Sequence, residues 1–342
     1  MSFGQIEAAA GNPDILVYDA QSDGHRENCV KLFARLTGGT ALIAPVGGAR
    51  KRLFAVKNLL LITYETQPAA FLPILILRAM MGRRSAVIFL RAHLVRARLF
   101  HRVVHRATIT LINLLRPILP LTLVPLPDDY RGTRFVTIAD PEFWDLHRED
   151  IEAPKTTLSK RALAFAAGRP ILLVTGYIER NRGLEFLRDI YAQQDDLIDA
   201  LVPVLAGMVA PDVRNAAINL GNVGALVIDR YLSHVEMMSL YREATAAWCC
   251  YCPERDMSSG IFGRAIQFGV APIVRRGSVL HRFSAQIENA VPIDFGDVDA
   301  AAARFRSGIA RTAPRPGGTP GTRTAIRTML LEHFGYPPTG AN

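Results

Sequence analysis

The chain has 342 residues, 49% of them hydrophobic, and a formal charge of +9. That length suffices for two domains of about 150 residues, each burying a full core. Four cysteines, at 29, 249, 250 and 252, give no disulfide framework, and the absence of G-x-G-x-x-G, Walker and G-x-S-x-G motifs removes the usual dehydrogenase, ATPase and hydrolase readings.

In chain order, MSFGQIEAAAGNPD lacks a basic start and an apolar core, so no signal peptide is expected. ILVYDA is an apolar strand from Ile15, and SDGHRENCVKLFARL reads as a turn at Gly24 and an amphipathic helix with Cys29, Leu32, Phe33 and Leu36 on one face. TALIAP, NLLLITYE and SAVIFLRAH continue the strand series, with Glu65 closing the second of these and His93 at the end of the third. A histidine at a strand's end is also a common satisfied polar residue.

Residues 66 to 127 hold nine arginines and no Asp or Glu, so everything outside that window sums to zero charge. Within it, Leu99, Phe100, Val103 and Val104 occupy one arc of a helical projection, and Arg98, His101, Arg102, His105 and Arg106 another. Such a helix either lies on an anionic membrane surface or packs on the core with a solvated basic face; the acid-free window favours the membrane. Nucleic acid is not expected, because the window has three aromatics, Phe71, Phe89 and Phe100, and no lysine. No segment reads as a span: Pro68 to Met81 is 14 residues interrupted by Arg78, and residues 107–126 are broken by Arg116 and three prolines, where about 20 apolar residues are needed. The expected location is the cytoplasm, peripheral on the inner face of the membrane.

A connector over 151–168 is expected to separate an amino-terminal domain, 1–150, from a second one, 169–312. The second opens with an apolar strand, Ile171 to Val174, a turn at Gly176 and a helix after Arg182 and Gly183; VPVLAG ends at Gly207, and ALVIDRYL precedes the helix HVEMMSLYREA. AWCCYCP then runs into DMSSG and a helix that Gly269 stops before Pro272 and Ile273. Ser258 or Ser259 can cap that helix, and Gly260 lets a ligand approach the backbone, so its first turn suits a phosphate; an ordinary cap has the same sequence. Asp297 and Asp299 form a D-x-D that reads as a helix cap rather than a metal site, and Cys249, Cys250 and Cys252 read as buried thiols. The Pro/Gly stretch APRPGGTPGT begins the segment 313–342, which ends in a last helix, TRTAIRTMLLEHF.

This order of elements resembles the carboxy-terminal domain of the retaining glycosyltransferases of GT-B fold, the large family four group. Gly176, Arg182-Gly183, Gly207, Leu240-Tyr241 with Ala244, and Ala265 with Gly269, Pro272 and Ile273 match its pattern, over about half of the chain. The resemblance implies an α/β fold of two Rossmann-like domains facing a cleft. It implies a donor site at Gly176, Arg182, Gly207, Asp256, Ser258, Ser259, Gly260 and Arg264, and an acceptor side at Gly24, His25 and Arg26. His93 corresponds to a histidine near the reacting sugar, and Glu65 is a carboxylate able to take the proton of an attacking hydroxyl. Tyr177 replaces an arginine, and Asp256 and Arg264 replace two glutamates; an arginine cannot accept hydrogen bonds from a sugar or ribose. The implied activity is hexosyl transfer from a nucleotide-diphosphate sugar to a lipid-linked or surface-polysaccharide acceptor, retaining and without metal or cofactor. A non-catalytic scaffold and a nucleotide-sugar epimerase or hydrolase share the fold.

Overall fold

In the computed structural model the described residues are 12–22, 25–90, 99–124, 132–152, 154–194, 196–318 and 321–337. Short apolar runs bounded by turn residues become strands covered on both faces, as in β1 (Ile15–Asp19), which is buried throughout. The chain continues through α1 (His25–Thr37), β2 (Thr40–Ile43), α2 (Val46–Ala55), β3 (Asn58–Leu61), α3 (Pro68–Met80), β4 (Arg84–Phe89), α4 (Leu99–Leu114), β5 (Ile118–Thr122) and β6 (Val136–Thr137). These strands pair in parallel in the order β2-β1-β3-β4-β5-β6. The apolar run after Arg116, considered above only as a failed span, supplies β5, which is buried at four of its five positions.

Next come α5 (Arg148–Ile151), α6 (Thr157–Ala166), β7 (Ile171–Thr175), α7 (Leu184–Ala192), α8 (Leu197–Ala200), β8 (Val202–Gly207), α9 (Arg214–Asn222), β9 (Leu226–Asp229), α10 (His234–Glu243) and β10 (Ala246–Cys249). Then follow α11 (Gly260–Gln267), β11 (Ala271–Arg275), α12 (Val279–Phe283), β12 (Val291–Ile293), α13 (Val298–Arg306) and α14 (Thr322–Phe334). The second sheet is parallel as well, ordered β12-β11-β10-β7-β8-β9.

The chain divides into two units, Met1–Pro141 with Pro320–Asn342, and Glu142–Thr319. Residues 151–168, expected as a connector, belong to the second unit and carry α6. Their charges masked an apolar stripe, Leu158, Ala162 and Ala166, that joins the core beside Met238 and Tyr241 of α10. Thr156 starts this helix by accepting a hydrogen bond from the Ser159 amide at 3.2 Å. The Pro/Gly stretch is likewise fixed to the second unit, where Thr312 N donates to Gly269 O at 2.9 Å and Arg315 N to Gln267 O at 2.8 Å. The last helix, α14, joins the first unit through Arg327 Nε to Leu36 O, 3.1 Å, and His333 Nε2 to Ser85 O, 3.0 Å.

In each sheet the chain reverses its direction of travel beside the first strand, between β1 and β3 and between β7 and β10. The carboxyl ends of these strand pairs border the crevice where open α/β sheets hold ligands.

Candidate functional site

At the second unit's reversal, β7 and β8 end in glycines whose backbones meet. Gly207 has φ +151°, and a Cβ there would lie 2.0 Å from Gly176 O, so a side chain at Gly207 would push the two strand ends apart. After Gly176 the chain leads through exposed Tyr177 to a 3-10 turn, Arg180–Arg182, and Cys252 N holds it by donating to Asn181 O at 3.0 Å.

Arg182 is the centre of the cluster formed here. Its Nη1 donates to the phenolic oxygen of Tyr251 at 2.9 Å, its guanidinium carbon stands 5.1 Å from the centre of the Tyr251 ring, and its Nε is buried without a partner. Arg255 lies 5.5 Å from the same ring centre and donates to Glu179 Oε1 at 2.5 Å and Asn181 Oδ1 at 2.9 Å. Burial, then the like charge of Arg182, holds the Arg255 guanidinium below its ordinary value. Burial also works against Arg182, but Tyr251 and then Glu179 outweigh it and the pKa stays above the usual value. Burial pushes Tyr251 up to about 12, so it is a neutral phenol. Two guanidiniums therefore face one carboxylate, Glu179, which leaves the cluster electropositive.

The first turn of α11 joins this cluster. Ser259 occupies the N-cap position but its hydroxyl makes no cap; it lies 2.8 Å from Tyr251 Oη instead. Because arginine only donates, the Tyr251 oxygen accepts from Arg182, and the Tyr251 and Ser259 hydroxyls share one hydrogen bond in which either can donate. Gly260 opens the helix, and a Cβ there would sit 2.2 Å from Glu142 Oε2, so the chain's own carboxylate rests on this turn. The side of α11 bearing Gly260 and Gly263 is flat, which lets 142–143 press against it; Phe143 meets Phe262 edge to face, with ring centres 5.3 Å apart.

Two expected donor residues are engaged elsewhere in the second unit. Arg264 is buried and grips both oxygens of Asp145, at 2.7 Å from Nη2 to Oδ2, while Gln267 Nε2 donates to Asp145 Oδ1 at 3.1 Å. Asp256 Oδ1 accepts from the Val279 amide at 2.7 Å, at the start of α12, and pairs with Arg275 at 3.2 Å. The cluster thus brings together Gly176, Arg182, Gly207, Ser259 and Gly260, with Ser258 preceding, and adds Tyr251, Arg255, Glu179 and Glu142. Sequence reading overlooked these four; the spacing of Tyr251 and Arg255 before the Ser/Gly turn was the available signal.

In the first unit, Asp19 ends β1 fully buried, accepting from Thr63 Oγ1 at 2.7 Å and from the Gln21 amide at 3.1 Å. Burial raises its pKa, against the lowering effect of these bonds and of Arg26. Arg26 donates to Gln21 Oε1 in the first turn of α1, which His25 begins. Glu65 stands in a 3-10 turn, Tyr64–Thr66, rather than in a strand, because β3 already ends at Leu61. Gly24, His93 and Arg98 lie outside the described residues, and Arg102 and Arg106 fall within α4, where their side chains are outside the description.

Asp297 caps α13 by accepting from Ala300 N at 2.9 Å. Burial drives the Cys249 thiol up to about 12, and Cys250 is raised as well, so both are inert buried thiols. Among the described residues, no three His, Cys, Asp or Glu side chains are grouped to hold a metal ion, and no helix is long and apolar enough to cross a membrane.

No protein-family model matches the chain, and no curated protein matches it in sequence. Solved structures do. HepE of Anabaena, in complex with UDP and glucose, matches with a TM-score of 0.61 at 12% identity, covering 94% of this chain and 95% of that one. A UDP-forming α,α-trehalose-phosphate synthase from Burkholderia xenovorans gives 0.57 at 9% identity over 94% and 95%. Sucrose-phosphate synthase from Thermosynechococcus elongatus gives 0.57 at 13% over 94% and 94%. The likeness, with the two parallel sheets, shows that the chain has the GT-B fold.

Proposed function

We propose that the chain is a glycosyltransferase. It moves a sugar from a nucleotide-diphosphate-sugar donor to a hydroxyl of a lipid-linked or surface-polysaccharide acceptor, at the cytoplasmic face of the membrane. The reading carries retention of configuration and needs no metal or cofactor.

The observation that supports it is the electropositive end of the second sheet, where Arg182, Arg255 and the first turn of α11 converge. A diphosphate would take the place of the Glu142 carboxylate at this turn and pair with the two guanidiniums. In the reaction the bond from the sugar carbon to the phosphate oxygen breaks, and the electron pair leaves with the nucleotide diphosphate. The acceptor oxygen forms the new bond and releases its proton. Guanidiniums and amides held in place before the reaction stabilise the leaving group as its charge develops. HepE, a protein of the same fold, is solved with UDP and glucose, which agrees with a donor of this class. The acceptor belongs to the first unit, with Glu65, His25 and Arg26 as its contacts and His93 near the sugar. The membrane face rests on the acid-free window 66–127.

One observation favours a second reading, a non-catalytic or regulatory GT-B scaffold: Glu142 already sets a carboxylate against Gly260. A thermal-shift screen against UDP, GDP, ADP and their sugar conjugates separates the two. Ligand at 100 times its dissociation constant stabilises the fold by about 2.7 kcal/mol, a visible rise in midpoint. A shift with one nucleotide family supports the transferase, and no shift with any supports the scaffold. Nucleotide release without acceptor would instead identify an epimerase or hydrolase.

A further inference from the structure

At one edge of the first unit, three helices end and three strands begin. The connections β2-α2-β3, β3-α3-β4 and β4-α4-β5 all advance the same way across the sheet, so right-handed crossovers place α2, α3 and α4 on one face. The β1-α1-β2 connection runs the other way and puts α1 on the opposite face, where α14 contacts it. The carboxyl ends of α2, α3 and α4 therefore gather along the edge from which β3, β4 and β5 start.

Arginines knit this edge together. Arg78, wholly buried, donates from Nη1 to Leu53 O at 2.6 Å and Val56 O at 2.9 Å, and from Nη2 to Lys57 O at 3.2 Å and Arg84 O at 2.9 Å. Arg83 donates to Phe54 O, and to Val56 O at 3.1 Å. The Ser85 amide reaches Pro117 O at 2.9 Å, which ties the end of α4 to the same place. On this rigid base Leu77 is 46% exposed, Met80 76%, Met81 52% and Leu114 71%. The flanking Arg50, Lys51, Arg52, Lys57, Arg84 and Arg116 are exposed. Segments 50–57, 77–84 and 114–116 together hold eight Lys or Arg and no Asp or Glu.

We propose that this edge is a docking surface for an anionic phospholipid bilayer, with Met80, Met81, Leu77 and Leu114 entering the interface and the flanking cations meeting headgroup phosphates. Water disfavours large apolar side chains this exposed. Lys57 pairs with Asp14 at 3.8 Å and Arg84 donates to His333 O at 2.7 Å, but the cations outnumber that one carboxylate, so the rim repels a second copy of itself while attracting an acidic bilayer. The proposal rests on the membrane-face part of the reading above, moves that contact to the carboxyl end of the helix bearing Arg102 and Arg106, and is independent of the chemistry.

The test is co-sedimentation of the full chain with vesicles of phosphatidylcholine alone and with vesicles containing phosphatidylglycerol. Binding is expected only to the second kind and should weaken with salt. The triple variant R50Q/K51Q/R52Q should bind about a hundredfold more weakly, at about fivefold per cation, and L77S/M80S/M81S should bind at least tenfold more weakly. All six side chains are exposed, so unchanged thermal midpoints will show that the fold is intact. Wild-type binding by both variants, together with loss of binding in R102Q/R106Q, would overturn this edge and keep the membrane reading. No binding by the wild-type chain would overturn both, while the nucleotide screen still judges the donor site. Self-association that L77S/M80S/M81S abolishes, without vesicle binding, would assign the edge to a second copy.

Discussion

Arg78 of the first unit and Arg182 of the second are both arginines drawn under the surface, and they differ in what satisfies them. Arg78 has all five donors on protein oxygens, four bonds to backbone carbonyls and one to Ser85 Oγ at 3.0 Å. Burial, then Arg83, lowers it to about 10, still charged at neutral pH. Arg182 keeps its Nε unpartnered and shares an aromatic ring with a second guanidinium. A saturated buried cation holds a fold together, whereas an unsaturated one in an electropositive cluster is prepared for a ligand. The sheet ends carry the same contrast, since Asp19 stands at the first unit's reversal and Arg182 with Arg255 at the second's. A carboxylate accepts hydrogen bonds from hydroxyls, and guanidiniums bind phosphate.

Arg78→Leu tests the first half of that contrast. It strands four carbonyls at the ends of α2 and the start of β4 and should cost about 4 kcal/mol in denaturant unfolding. Arg182→Ala should do the reverse, leaving the thermal midpoint within a few degrees while weakening nucleotide binding and transfer about a hundredfold. If Arg182→Ala unfolds the protein instead, the distinction between the two arginines fails.

Smaller effects sharpen the picture at neighbouring carboxylates and at α14. Glu142→Gln removes the anion resting on α11 and should tighten nucleotide binding about fivefold by titration calorimetry; weaker binding would make Glu142 a donor contact. Burial, more than the opposing carbonyl of Ser85, holds His333 below its ordinary value. The unfolded chain therefore binds this proton more readily, so stability is retained above the unfolded histidine value and lost as pH falls from there through the folded one. His333→Asn should flatten that loss in midpoints measured between neutral and mildly acid pH. The smallest effect is expected from Asp19→Asn. With its folded pKa raised, Asp19 favours the folded state more as pH falls, and at neutral pH its ionised form is the less favoured one. The variant should match the wild-type midpoint within about 1 kcal/mol at neutral pH and bind nucleotide equally, while any acceptor-dependent rate falls.

Apolar runs such as ILLVT and APIVR, each followed by turn residues, made the parallel units legible, since strands covered on both faces must be apolar over their length. Gly176 and Gly207 were legible for a similarly local reason, because their backbone conformations at strand ends exclude a side chain. Charge composition also located the basic half, as summed charge needs no geometry. What the sequence could not say was which partner each charge has. Arg264 looked like a donor residue until Asp145, 119 positions away, proved to hold it, and Arg78 looked like an interruption of an apolar run until five acceptors from two segments closed around it. Glu142 reaches Gly260, and Tyr251 separates Arg182 from Arg255, only because packing brings distant loops to one strand end. Periodicity and backbone preference are properties of neighbouring residues and were written in the chain. Hydrogen-bond saturation and electrostatic pairing depend on distances across the fold, so the tertiary structure alone separated Arg78, which binds the protein to itself with every donor, from Arg182 and Arg255, each of which keeps a buried Nε without a partner.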